Sequence, residues 1–78
     1  MKRHHAGSLY ETEYTSDDKD GFAGLVLFCT NQNGRERVAS VIYWDADGQY
    51  AVETFGTDVP LKVIEEIIAE AKAIVKVS

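Results

Sequence analysis

The chain has 78 residues, one cysteine and a formal net charge of −5. A domain of this size hides only about 60% of the surface its unfolded chain exposes, so it leans on disulfides, a metal, close packing or association. A lone Cys29 excludes an internal disulfide, and Cys29, His4 and His5 are too few for a four-ligand structural zinc site.

Residues 1–7 contain Lys2, Arg3, His4 and His5 followed by Ala6-Gly7 and read as a disordered tail, leaving 8–78 as a single α+β domain. The tail lacks the apolar core of a signal peptide, and no stretch approaches the roughly 20 apolar residues that span a bilayer, so a cytoplasmic location and no membrane contact are expected. Residues 8–15 alternate, with Leu9, Glu11 and Glu13 on one face and Tyr10, Thr12 and Tyr14 on the other, as in an edge strand with a charged outer face. The polar run from Ser16 to Gly21 is a loop.

From Phe22 to Thr30 both parities are apolar: Phe22, Val26 and Phe28 against Ala23, Leu25, Leu27 and Cys29. That pattern predicts a central strand, with Cys29 a buried, unreactive thiol. Asn31 to Gly34 forms a turn into a strand over residues 35–45, and Asp45-Ala-Asp-Gly48 turns again into a strand over 49–55. With Asp47 and Gly48 as the central turn residues, Trp44 lies opposite Ala51 and Ile42 opposite Glu53.

Thr57 or Asp58 is expected to cap a helix whose first turn contains Pro60. At 100° per residue Leu61, Val63, Ile64, Ile67, Ile68, Ala71, Ile74 and Val75 gather on one arc, and Lys62, Glu65, Glu66, Glu70, Lys72 and Lys76 on the other. The expected fold is an antiparallel meander of three to four strands followed by one C-terminal amphipathic helix packed on one sheet face.

One helix covers one face, yet both faces are apolar. Val38, Ile42, Trp44 and Phe55 share one parity, while Val41, Tyr43, Tyr50 and Val52 share the other. An uncovered set of this size exceeds the few hundred Å² of contiguous apolar surface that monomers tolerate. Val38, Ile42, Trp44 and Phe55 are the candidate interface, and a homodimer is the expected partner arrangement. Sheet curl that brings Leu9, Tyr10 and Tyr14 over the gap is the monomeric alternative.

Chemistry is sparse. Asp18-Lys-Asp20-Gly21 and Asp45-Ala-Asp47-Gly48 resemble the start of a calcium loop, but neither is followed by the glutamate that such a loop needs at its twelfth position. Both histidines fall in the expected tail, so no nucleophile has an evident base, and no glycine-rich phosphate loop is present. A carboxylate pair such as Asp45 with Glu53 has no argued pocket to raise its pKa. Tyr10, Tyr14, Tyr43, Trp44 and Tyr50 are side chains of the kind that stack on bases, but without a basic stripe nucleic-acid binding is not expected.

Between residues 11 and 20, Glu11, Glu13, Asp17, Asp18 and Asp20 face one cation, Lys19, and form a candidate acidic surface for another protein. The leading expectation is therefore a small non-catalytic protein-interaction module, homodimeric through an apolar sheet face. An acidic inhibitor or immunity-type protein binding a basic surface is the alternative. A small enzyme or ligand-binding subunit with a site at a dimer interface comes third; no cofactor is expected.

Overall fold

The computed structural model describes residues 1–75. Five strands, β1 (Lys2–His5), β2 (Ser8–Asp17), β3 (Phe22–Asn31), β4 (Gly34–Trp44) and β5 (Gln49–Thr54), precede one helix, α1 (Leu61–Ile74). The strands form one antiparallel sheet in the order β1-β2-β3-β4-β5, so the fold is an α+β meander. Lys76, expected on the polar arc of the helix, lies outside the described residues. No helix among the described residues is long and apolar enough to cross a membrane.

The strand count is five rather than three to four. The additional strand is β1, in the segment expected to be a disordered tail. It folds back on β2 through Ala6-Gly7, where both residues have positive φ, 49° and 82°, as a two-residue type I′ turn requires. An alanine in that position hides the turn, because asparagine or glycine is its usual signature. In consequence β2 is an inner strand, and the edge passes to the short β1 with Lys2, Arg3, His4 and His5, residues that discourage pairing with other chains.

The β2–β3 and β4–β5 connections are four-residue turns of one design. Gly21 donates its N–H to the Asp17 carbonyl (2.8 Å) and Gly48 to the Trp44 carbonyl (2.9 Å), and each glycine takes a left-handed backbone conformation. The Asp45 N–H also donates to the Gly21 carbonyl (2.9 Å), tying the two turns together. The longer second loop pairs Trp44 with Gln49 and Ile42 with Ala51, two residues away from the expected register. A shift of two preserves which face each residue occupies.

A β-bulge in β4 has larger effects. Leu27 pairs with Ala39 and Phe28 with Arg37, which leaves Val38 as the extra residue. Strict alternation puts Val38 beside Ile42 and Trp44; the bulge instead turns it into the core, 1% exposed. Toward Gly34 every residue of β4 then occupies the face opposite to the one parity assigns.

The core lies between the sheet and α1. Leu25, Leu27, Cys29, Val38, Ala39 and Val41 share one buried cluster with Val63, Ile67 and Ala71, four residues apart along the helix. Ile64 and Ile68 pack against its margin, while Leu61 and Ile74 are exposed, so the buried stripe is narrower than the apolar arc. Polar contacts complete the seam: Arg3 pairs with Glu66, and the Thr12 hydroxyl donates to Glu70 Oε1 (2.9 Å). The residue at the N-cap position is Pro60 rather than Thr57 or Asp58, with no side-chain cap; the Pro60 carbonyl accepts from the Val63 N–H at 2.9 Å.

Candidate interface on the open sheet face

The face opposite α1 carries Phe22, Val26 and Phe28 of β3, Ile42 and Trp44 of β4, and Phe55 just beyond β5. The first three alternate with the buried Leu25, Leu27 and Cys29, and period-two geometry sends the sets to opposite sides. Phe55 continues the ladder by donating its N–H to the Val38 carbonyl (3.2 Å). Trp44 and Phe55 are 36% and 40% exposed, with Phe22, Val26 and Ile42 half-buried around them.

Gly24 leaves the β3 ladder without a side chain beside Ile42. It sits between Thr15 and Ile42 in the sheet, and a Cβ built on it would lie 2.1 Å from the Val41 carbonyl oxygen and 2.8 Å from Ile42 Cα. The backbones approach too closely there for any side chain. A shallow depression of about 260 Å³ lies on this face, with Val26, Ile42, Trp44 and Phe55 among its walls and Arg37, Ser40 and Glu53 supplying polar groups. Phe22 and Trp44, cross-strand partners, stack at its margin with ring centroids 5.0 Å apart.

The face divides into two halves. At one end Arg35 pairs with Glu13 and lies 3.9 Å above the Phe28 ring, and Lys2 approaches Glu11 at 4.0 Å, so that charged side chains cover the apolar atoms. Arg37, the ladder partner of Phe28, lies 5.4 Å from the centroid of the Phe55 ring, while Phe22 and Trp44 mark the opposite end of the face. The bulge delivers both arginines to this side; by parity alone they belong on the helix side.

Of the expected interface residues, Ile42, Trp44 and Phe55 share this face and Val38 does not. Phe22, Val26 and Arg37 join them. Both parities of β3 were legible as apolar, whereas the place of Arg37 depends on the bulge and had no local signal. The opposite set divides too: Val41 is buried and Tyr43 meets Tyr50 edge to face with centroids 5.1 Å apart, but Val52 stays 48% exposed. The 14-residue α1 spans about 21 Å and lies over β3 and β4, short of the β5 edge.

The acidic residues do not converge. Glu11 and Glu13 lie on the open face beside cations. Asp17 accepts from the backbone N–H groups of Lys19 (2.9 Å) and Asp20 (3.1 Å), shaping the turn on which Asp18 and Asp20 are exposed. Asp45, Glu53 and Tyr50 do not line one cleft either: Tyr50 faces the helix side, Glu53 the open side, and Asp45 belongs to the terminal turn. Among the described residues no three histidine, cysteine, aspartate or glutamate side chains are grouped to hold a metal.

The buried Tyr10 lies directly across from Cys29. Burial first, and then the neighbouring thiol, raises the Tyr10 hydroxyl above its ordinary pKa of 10.0. Both groups sit inside the core cluster, which makes them structural. Comparison with protein-family models, curated proteins and solved structures returns no match.

Proposed function

We propose that this protein is a non-catalytic interaction module that associates with a second copy of itself through the open sheet face. The observation that supports it is the asymmetry of the sheet: α1 covers one side, while the other presents Trp44, Phe55, Phe22 and Ile42 to solvent around a depression lined by their side chains. Transfer of such surface out of water is the main driving force for association.

A second copy fits on grounds of size and shape. The molecule measures 39 × 20 Å along its two longer axes, so a whole face of it is close in size to the roughly 800 Å² that each partner of a stable pair contributes. Two such faces stack at about 10 Å with their side chains interdigitated, as the two halves of a β-sandwich do. A two-fold pair needs only a single self-complementary patch. The acidic-surface alternative has less support, because two of its five carboxylates lie beside cations and a third shapes its own turn. The buried free thiol of Cys29 suits a reducing, cytoplasmic setting.

Light scattering over a concentration series tests the proposal, with Trp44→Asp as the diagnostic variant. The wild type should be dimeric at high and low salt, and Trp44→Asp monomeric with an unchanged circular dichroism spectrum. A monomeric wild type would overturn self-association and leave a different protein or an apolar ligand as occupant. A Trp44→Asp protein that remains dimeric would shift the contact to the β5 edge.

A further inference from the structure

The depression on the open face is bordered by two charges that form no ion pair among the described residues. Among the described residues the other side chains forming ion pairs are Lys2, Arg3, Arg35, Glu11, Glu13, Glu66 and Glu70; Arg37 and Glu53 form none. Both border the depression, one of each sign. Glu53 is opposite Ser40 in the ladder, and Arg37 is the next β4 residue on that face because the bulge carries Val38 and Ala39 to the other side.

We infer that Arg37 and Glu53 form reciprocal ion pairs between two copies and so fix the orientation of the dimer. This rests on the face-to-face association proposed above. A two-fold axis lying in the contact plane and bisecting the line between the two residues sets Arg37 of each copy against Glu53 of the other, so one placement satisfies all four charges. The apolar groups supply attraction without direction, whereas charges that must meet their opposites select one register and penalise the rest. Arg37 and Glu53 are both exposed in the single chain, so their side chains can keep part of their hydration in the pair and the desolvation cost is moderate.

Charge reversal tests this directly. In Arg37→Glu each copy sets a glutamate against Glu53 of the other, and in Glu53→Arg an arginine meets Arg37; each variant alone should self-associate at least about 10-fold more weakly than the wild type. Mixed in equal amounts, the two variants should form a heterodimer of near wild-type affinity, because one pair then keeps its native polarity and the other is restored with the charges exchanged. Sedimentation velocity with one variant fluorescently labelled reads all three states, and circular dichroism confirms that each variant is folded. Single variants that dimerise like the wild type, or a mixture that fails to recover, would overturn the reciprocal pairing while leaving a Trp44-dependent dimer intact. A wild type that is monomeric throughout would overturn the association and the pairing together.

Discussion

Val38 and Ala39 are consecutive residues of one strand, yet both point into the core, 1% and 0% exposed. Neighbours in a regular strand face opposite sides; here the bulge opposite Leu27 and Phe28 absorbs one residue, so two side chains fill the space under α1. Truncation of Val38 therefore leaves a cavity in the core rather than a gap in the open face. Val38→Ala should lower unfolding free energy by about 2 kcal/mol with no change in self-association per folded molecule. Urea denaturation gives the first quantity and sedimentation the second; a variant of full stability that no longer associates would place Val38 at the interface.

The β1–β2 turn keeps Ala6 at a φ of 49°. A side chain with a Cβ is disfavoured in that conformation by about 1–2 kcal/mol, and asparagine or glycine relieves part of it. Ala6→Asn should stabilise the protein by about 1 kcal/mol and protect the amides of β1 from hydrogen exchange. Unchanged stability together with fast exchange across residues 2–5 would mean that β1 contributes nothing to the fold.

Tyr10 links stability to alkaline pH. Its hydroxyl pKa is higher in the folded chain than the ordinary value of 10.0, chiefly because burial disfavours the phenolate. The folded protein therefore holds its proton to higher pH than the unfolded chain does, and stability, complete below about pH 10, declines as pH rises toward and through the folded pKa. Tyr10→Phe should flatten this alkaline decline in denaturation curves measured between about pH 9 and 11, leaving the pH dependence near neutrality unchanged. An equally steep decline in the variant would assign it to other groups.

Much of the architecture was readable residue by residue. The doubly apolar run of Phe22 to Cys29 marked an inner strand, the Asn31–Gly34 and Asp45–Gly48 segments marked turns, and the spacing of Val63, Ile67 and Ala71 marked a helix face. Each is a local pattern whose period comes from backbone geometry. Helix capping was less legible, because Pro60 takes the N-cap position in place of the better-suited Thr57 and Asp58.

The open face was readable only in part. Ile42, Trp44 and Phe55 were identified by parity, and parity survived the two-residue change of register in the second hairpin. It failed at Val38, and with the same step it missed Arg37. The existence of a surplus apolar face was determined by the sequence itself, since one amphipathic helix cannot cover two apolar sides of a sheet. Which residues occupy that face was decided by tertiary packing: β4 accommodates a bulge so that Val38 fills the core, and one absorbed residue reverses every side chain beyond it.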